Sequence, residues 1–369
     1  MAARRLGVGI VGLTPGRSWA ALAHVPALRA LADDFEIVGV ANSSLESGEA
    51  AARALGLPRA YRDVAELAAA PEVDVVAVTV KVPHHLALTR AAIAAGKHVY
   101  CEWPLGNGLA EAREMAALAK ESGIVGVVGA QALGSIELDH VGKLIAEGYV
   151  GRILSVTLVA SAGPGGPAVT PASAYLMDRA TGANMLTIPL GHTLAGLRKM
   201  LGEITELSAV LSTRRTTATM VETGEVLPRT APDQALVAGV LASGAPLSIH
   251  YRGDTNPGTG LLWEITGEDG LIQITGPSGH TQYHDLIIKG ARTGDAALQP
   301  LPVPAALYEG WPDSQRERNV ARLYARMADD IRTGSRTAPS FDDAVANHQV
   351  LAAIEQAAAS GQRSAPHAM

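Results

Sequence analysis

Over the first 130 residues, short apolar segments alternate with segments whose apolar positions recur at helical spacing. The segment Val73–Val82 is dominated by valine, and such continuous apolar runs are typical of strands buried on both faces. The predicted strands are Leu6–Val11, Glu36–Ala41, Val73–Val82, His98–Glu102 and Ile124–Gly129. The predicted helices between them are Trp19–Leu31, Leu45–Leu55, His85–Ala95 and Leu109–Ser122.

Repeated β-α units with short connections predict an α/β domain over residues 1–130, a Rossmann-type, doubly wound parallel sheet. Sheets of this kind bind their ligand at the carboxyl ends of the strands. The residues that follow each strand are therefore the first candidates for a binding site.

From about Gln131 onward, alternating segments are separated by turn residues, which is typical of a mostly antiparallel sheet. We predict an α+β domain over residues 131–369 with an open sheet, in which Gly267–Gly270 forms a hairpin turn. Two helices rich in Ala and Leu, within about residues 316–360, are expected to pack back toward the first domain. The last residues, Gln362–Met369, are expected to fray.

Composition and charge narrow the class of protein. The chain has 369 residues, of which 47% are hydrophobic, so it can bury the cores of two domains. A net charge of −6 without a basic block argues against nucleic-acid binding. The one cysteine, Cys101, excludes an intramolecular disulfide and a cysteine-cluster zinc site. No apolar run approaches the ~20 residues that cross a bilayer, and the short N-terminal run lacks a cleavage site, so we expect a cytoplasmic protein.

The turn Gly12–Ser18 connects the first predicted strand to the first predicted helix. Glycine there lets the backbone approach a pyrophosphate, and the start of the helix offers free N–H groups. The turn departs from the G-x-G-x-x-G pattern, because Thr14 stands where the second glycine is expected. Its position in a βαβ unit favours phosphate binding over a turn of purely structural role.

The second predicted strand ends at Asn42, Ser43 and Ser44, where NAD enzymes usually place an Asp or Glu for the ribose 2′-hydroxyl. A carboxylate would repel a 2′-phosphate, so its absence permits NADP, for which Arg17 can supply a positive charge. We favour NADP, with NAD as the alternative. Asn42 has a structural alternative as the cap of the next helix.

The segments Thr79–His85 and Cys101–Leu105 resemble the Gfo/Idh/MocA family, named after glucose–fructose oxidoreductase and inositol dehydrogenase. The resemblance extends over nearly the whole chain. Within the family, the run Asn184–His192 and the tripeptide Ser18–Ala20 are similar to the branch that contains the yeast galactose-pathway repressor. Membership implies NAD(P)-dependent oxidoreductase chemistry on a small substrate, and a homodimer or homotetramer formed through the open sheet.

Two family positions differ in this chain. The family strand end is E-K-P, whose Glu contacts the nicotinamide ribose and whose Lys assists proton transfer. Glu102 and Pro104 match, whereas Trp103 replaces the Lys. In the D-x-x-x-H motif, His192 matches the general acid/base, whereas Ile188 stands at the position of the Asp. A Lys beside a developing oxyanion is typically worth about 10²–10⁴-fold, and its replacement removes one such group. Loss of the Asp removes a carboxylate that could raise the pKa of His192 or fix its tautomer.

Other titratable residues are weaker candidates for proton transfer. Lys81 follows a buried strand at the ligand edge, and Tyr175 precedes His192 by several turns, with Gly182 expected to break the helix between them. His280 and His284 have H-x-x-x-H spacing, but a strand there would separate their side chains by about 13 Å, so we predict no metal site.

The resulting candidates fall into three sets. The candidate cofactor-binding residues are Gly12, Leu13, Thr14, Gly16, Arg17, Ser18, Trp19, Asn42, Ser43, Ser44, Lys81, Val82, His85, Glu102, Trp103 and Pro104. The candidate catalytic residues are His192, Lys81 and Tyr175, and the candidate substrate contacts are Trp103, Tyr175, Asn184 and His192. Two functions follow. One is an NAD(P)-dependent oxidoreductase acting on a sugar, cyclitol or imine-type substrate, and the other is a dinucleotide- and sugar-binding regulator without catalysis.

Overall fold

The computed structural model describes residues 4–163, 165–254 and 258–369. The chain divides into two compact units. The first consists of Met1–Gly134 and Gly310–Val345, and the second of Ser135–Glu309 and Ala346–Met369.

The first unit contains a six-stranded sheet in which every neighbouring pair is parallel. Its strands are β1 (Leu6–Val11), β2 (Phe35–Ala41), β3 (Ala60–Tyr61), β4 (Val75–Val78), β5 (His98–Glu102) and β6 (Gly126–Gly129). Their order is β3-β2-β1-β4-β5-β6, that of a doubly wound dinucleotide-binding sheet. The predicted Rossmann-type fold is confirmed.

The second unit contains an eight-stranded sheet of order β17-β16-β15-β14-β7-β13-β12-β9 and a small sheet of order β11-β10-β8. Its strands are β7 (Ile153–Ala162), β8 (Ala168–Val169), β9 (Ile204–Ser212), β10 (Thr217–Met220), β11 (Val226–Pro228), β12 (Gln234–Leu241), β13 (Pro246–Gly253), β14 (Leu261–Gly267), β15 (Gly270–Gly276), β16 (Ile287–Arg292) and β17 (Gln299–Pro300). In the large sheet all neighbouring pairs are antiparallel except β7 with β13. The mostly antiparallel sheet and the hairpin at Gly267–Gly270 are confirmed.

Nine α-helices lie among the described residues. They are α1 (Val25–Ala30), α2 (Leu45–Leu55), α3 (Val64–Ala69), α4 (His85–Ala94), α5 (Leu109–Ser122), α6 (Ile136–Ala146), α7 (Gly191–Leu201), α8 (Gln315–Thr333) and α9 (Phe341–Ser360). Helix α8 supplies Leu323, Tyr324 and Met327 to the core of the first unit, where they lie with Val8 and Ile10 of β1. None of the described helices is long and apolar enough to cross a membrane.

The chain end does not fray as predicted. The backbone N–H of Ser364 donates to the Leu207 carbonyl, and the Leu207 N–H donates to the Ser364 carbonyl, both at 2.8 Å. Ser364 and Pro366 are buried. This pairing of the tail with β9 joins residues far apart in sequence, so the position of the tail at the chain end did not reveal it.

Candidate active site

The carboxyl ends of five neighbouring strands of the first unit, in the order β2-β1-β4-β5-β6, lie at one edge of its sheet. Side chains cross-link each neighbouring pair of strand ends, and these side chains are Asn42, Thr79, His85 and Gln131. The structure therefore places the predicted cofactor-binding residues of four separate turns along one cross-linked edge, which is where such sheets bind ligands.

Gly12 sits where the first turn passes closest to β4. Its φ of 93° is in the left-handed region, and a Cβ atom built there would lie 2.4 Å from Val80 Cγ1. Thr79 Oγ1 donates to the carbonyls of Val11 and Gly12, each at 2.9 Å. Only glycine fits this conformation and this close approach, so the local structure requires glycine at position 12.

In the rest of the turn, Ser18 holds the backbone by hydrogen bonds, and three of the residues before it are exposed to solvent. Ser18 Oγ accepts from the Thr14 N–H at 2.9 Å and from the Ala21 N–H at 3.3 Å, so it caps the helical segment that follows. Thr14, Gly16 and Arg17 are exposed, and a Cβ at Gly16 would meet nothing within 4 Å. The turn is thus a glycine-containing cradle that leads into a helix N-terminus, which fits a bound pyrophosphate.

Asn42 fastens the first turn to the end of β2. Its Oδ1 accepts from the Leu13 N–H at 2.8 Å, and its Nδ2 donates to the Leu13 carbonyl at 2.9 Å and the Ser47 carbonyl at 3.2 Å. The cap of α2 is Ser44, whose Oγ accepts from the Ser47 N–H at 3.2 Å, so the alternative role of Asn42 as the helix cap is wrong. Ser43 is exposed beside it.

His85 joins the turn after β4 to the turn after β5. Its Nδ1 lies 2.9 Å from the Pro104 carbonyl oxygen, and its Nε2 lies 3.0 Å from the Val80 carbonyl oxygen. Burial lowers the pKa of the imidazole. Val82 nearby is buried, whereas Lys81 is exposed at the start of a 3-10 helix.

The end of β5 carries Trp103, the residue that replaces the Lys of the E-K-P pattern. Trp103 is 5% exposed, and the Trp103–Pro104 peptide bond is cis. Cys101 is fully buried, and burial raises the pKa of its thiol. The side chain of Glu102 is 12% exposed, so it is not completely buried.

The Glu102 carboxylate accepts hydrogen bonds that the sequence analysis did not anticipate. His24 Nε2 lies 2.9 Å from Oε1, and Gln131 Nε2 lies 2.9 Å from Oε1 and 2.7 Å from Oε2. His24 Nδ1 lies 2.9 Å from the Tyr324 hydroxyl. The apolar periodicity predicts only a regular helix around His24. Glu102 and Tyr324 lie 78 and 300 positions further along the chain, so no local pattern pairs them with His24.

In the second unit, His192 is the second residue of α7 and is 3% exposed. A π-helical turn, Leu186–Leu190, precedes the helix, and Asn184 Oδ1 accepts from the Leu186 N–H at 2.9 Å. Burial, together with nearby His280, lowers the pKa of His192 to about 3. The imidazole is therefore neutral at pH 7.

Residues 278–284 form a polar turn rather than the predicted strand. The His280 and His284 ring centroids are 6.4 Å apart, so the predicted wide separation of the two side chains is wrong. His280 Nε2 lies 2.8 Å from the Gly163 carbonyl, its Nδ1 lies 3.0 Å from Gln282 Nε2, and its ring stacks on Tyr283. Across the described ranges, no three His, Cys, Asp or Glu residues are grouped so as to hold a metal ion.

Tyr175 lies on a short 3-10 helix, Ala174–Met177, and is partly buried. Burial raises the pKa of its hydroxyl. Gly182, with a φ of 70°, ends the next 3-10 helix, so the predicted break before Asn184 is confirmed.

Comparisons with known proteins match both parts of the chain. A family model described as "Oxidoreductase family, NAD-binding Rossmann fold" matches residues 6–130, and one described as "Gal80p, C-terminal domain" matches residues 137–276. "Dehydrogenase aclE" of Aspergillus oryzae is 31% identical over 97% of this chain and 98% of its own length. "Galactose/lactose metabolism regulatory protein GAL80" of Kluyveromyces lactis is 27% identical over 77% of this chain and 67% of its own length.

The fold also matches a solved structure over almost the whole chain. Levoglucosan dehydrogenase in complex with NADH and levoglucosan superposes with a TM-score of 0.82 at 22% identity, covering 98% of this chain and 99% of that one. At 22% identity, this likeness shows the fold alone.

Proposed function

Because this chain belongs to the Gfo/Idh/MocA family of oxidoreductases, we propose that it is an NAD(P)-dependent oxidoreductase acting on a small sugar, cyclitol or imine-type substrate. The observation that carries the proposal is the cross-linked sheet edge, with Gly12 in a left-handed conformation beside Val80 and an open turn before a helix N-terminus. A bound nicotinamide supplies the hydride acceptor or donor, and the residues at this edge fit its dinucleotide.

For the cofactor, we propose that Gly12–Ser18 bind the pyrophosphate and that Glu102 binds the nicotinamide ribose. NADP is favoured over NAD because Arg17 and Ser43 are exposed and no carboxylate stands at Asn42. The amide of Asn42 is engaged by the backbone at Leu13 and Ser47, which leaves the neighbouring exposed groups to contact a 2′-phosphate.

For the substrate, we propose that His192 accepts a proton from a hydroxyl group. Burial keeps this imidazole neutral at pH 7, so it begins in the proton-accepting form that oxidation of an alcohol requires. Trp103 and Asn184 remain proposed substrate contacts, as do Tyr175 and His192, and Lys81 remains a further proposed proton-transfer residue.

The test combines cofactor titration with a substrate panel. We expect NADPH to bind more tightly than NADH, and reduced-nicotinamide absorbance to rise when oxidised cofactor is mixed with the correct sugar or cyclitol. His192→Asn should reduce kcat about 100-fold while cofactor affinity is retained. His250→Asn, which changes a partly buried histidine on β13, is the matched control and should leave kcat unchanged. Equal kcat values for His192→Asn and wild type would remove His192 from the mechanism.

A catalytically silent regulator is the second candidate. It is favoured by Trp103 and Ile188 in the two charged positions of the family motifs and by the match of residues 137–276 to the Gal80p model. Cofactor binding without any change in absorbance across sugars, cyclitols and imines would support the regulator over the enzyme. Cytoplasmic location stays a prediction for either candidate.

We further propose that the chain forms a homodimer or homotetramer through the outer face of the large sheet. Leu236 of β12 and Val210 of β9 are directly paired in register, and they are 45% and 59% exposed. Exposed apolar side chains that adjoin on a sheet face commonly pack against another subunit.

Charge at this face should separate the subunits. We expect Val210→Lys combined with Leu236→Glu to convert the oligomer to a monomer in light scattering coupled to size-exclusion chromatography. Val226→Lys changes an equally exposed valine on the small sheet and should leave the mass unchanged. A wild-type chain that runs as a monomer at micromolar concentration would contradict the proposal.

A further inference from the structure

His24 has no role in the function proposed so far, yet it is completely buried at the ligand edge of the sheet. It closes a π-helical turn, Ala20–His24, in which the Val25 N–H donates to the Ala20 carbonyl five residues back. Such turns are rare and are frequent at functional sites. The extra residue in the turn changes the face of the helix on which the following side chains lie. His24 is the last residue of this turn, and its imidazole contacts Glu102.

The hydrogen-bond directions in this cluster follow from the chemistry of its members. An ionised carboxylate only accepts, so the His24 Nε2 that lies 2.9 Å from Glu102 Oε1 carries the proton. When the imidazole is neutral, Nδ1 accepts and the Tyr324 hydroxyl 2.9 Å away is its donor. In that tautomer the donors run in one direction, from Tyr324 through His24 to Glu102.

Neighbouring rings prevent the imidazole from turning. Tyr100 and Tyr324 stack on one another with centroids 4.5 Å apart, and both meet His24 edge-on, at 5.1 and 5.7 Å. On the other side the carboxylate lies against β6, where a Cβ at Gly129 would approach Glu102 Oε1 to 2.4 Å. The side chain of Glu102 is therefore confined between a fixed imidazole and the backbone of the adjacent strand.

The two carboxylate oxygens are not equivalent. Oε1 accepts from both His24 and Gln131, which occupies its two lone pairs, whereas Oε2 accepts from Gln131 alone. Oε2 keeps the capacity to accept from one further hydroxyl, and the side chain of Glu102 is 12% exposed. A ribose hydroxyl is a donor of the required kind.

We propose that His24 is a positioning residue, which holds the Glu102 carboxylate so that Oε2 faces a ribose hydroxyl of the nicotinamide dinucleotide. This inference rests on the proposed function, because it needs a dinucleotide at this edge. It assigns a role to a residue that matches no motif, and it makes Tyr324 the outer member of the same chain of donors.

Two substitutions separate positioning from packing. His24→Gln keeps a donor near the place of Nε2 and loses the Tyr324 contact, whereas His24→Asn keeps a group near Nδ1 and loses the Glu102 contact. We expect His24→Gln to bind NADPH within about threefold of wild type and His24→Asn to bind about tenfold more weakly, with dissociation constants taken from nicotinamide fluorescence. The melting temperatures of the two variants should not follow this order.

A double-mutant cycle with Glu102→Gln provides the readout that a purely structural role would not move. In the Glu102→Gln background, His24→Asn should cause no further loss of affinity. Should His24→Asn fail to fold, Tyr324→Phe takes its place, with a smaller loss that Glu102→Gln again abolishes. Histidine ¹⁵N NMR should show the Nε2–H tautomer of His24 in the wild-type chain.

Equal weakening by His24→Gln and His24→Asn, or losses that persist in the Glu102→Gln background, would overturn the positioning role while leaving the proposed function intact. A wild-type chain that binds neither NADPH nor NADH would contradict the proposed function, and the positioning role would fall with it.

Discussion

Lowering the pH from 7 to 5 is expected to reduce the free energy of unfolding by about 6 kcal/mol through three buried histidines of the second unit. Burial lowers the pKa of His192 to about 3, that of His280 to about 4 and that of His348 to about 4. In the unfolded chain each imidazole titrates near 6.5. Each therefore contributes a loss of about 2 kcal/mol at pH 5.

The sign follows from proton uptake. Above pH 6.5 both states hold neutral imidazoles and the stability does not change. Between about pH 6.5 and pH 4 the unfolded chain takes up protons that the folded chain does not, so stability falls as the pH falls. The loss is complete below the folded-state pKa values. Because His192 is also the proposed proton acceptor, the burial that keeps it neutral carries a cost in acid stability.

Urea unfolding at pH 7, 6 and 5, followed by circular dichroism, measures this loss. His348→Gln removes one of the three groups and should make the fall about 2 kcal/mol smaller than in the wild type, whatever its effect on stability at pH 7. His367→Gln changes an exposed histidine near the chain end and should leave the fall unchanged. A stability that is flat between pH 7 and pH 5 would show that these imidazoles are not held neutral by burial.

The sequence predicted the first unit well because its strands are buried on both faces. A strand such as β4 is a continuous apolar run, which needs no knowledge of distant residues to be recognised. The turn at Gly12 follows from the same local logic, since the strand, the glycine and the helix succeed one another along the chain.

The network around Glu102 could not be predicted in this way. His24 reaches Glu102 and Tyr324 only because a π-helical turn interrupts the expected helical period and because β1 lies between β2 and β4 in the sheet. Periodicity predicts which face of a regular helix is buried, but a one-residue insertion in a turn changes that face without changing the apolar pattern. The π-helical turn before His192 escaped prediction for the same reason.

Gly12→Ala is expected to weaken NADPH binding about 100-fold and to lower the free energy of unfolding by about 3 kcal/mol. Two terms combine. An L-residue at a φ of 93° costs roughly 1–2 kcal/mol, and the added Cβ, 2.4 Å from Val80 Cγ1, forces the turn away from β4 at a further cost of about 1–3 kcal/mol. Displacement of the turn moves the N–H groups that we propose for the pyrophosphate.

The chain offers a matched control for each term. Gly16→Ala introduces the same methyl group at a φ of 67° with no atom within 4 Å, so it carries the conformational cost alone and should weaken binding less than tenfold. Val80→Ala removes the obstructing Cγ1, so the double variant Gly12→Ala/Val80→Ala should regain most of the affinity lost by Gly12→Ala. If Val80→Ala restores nothing, the contact with β4 does not set the position of the turn. If Gly12→Ala binds NADPH as well as wild type does, the turn is not the phosphate cradle, and the dinucleotide must be held elsewhere.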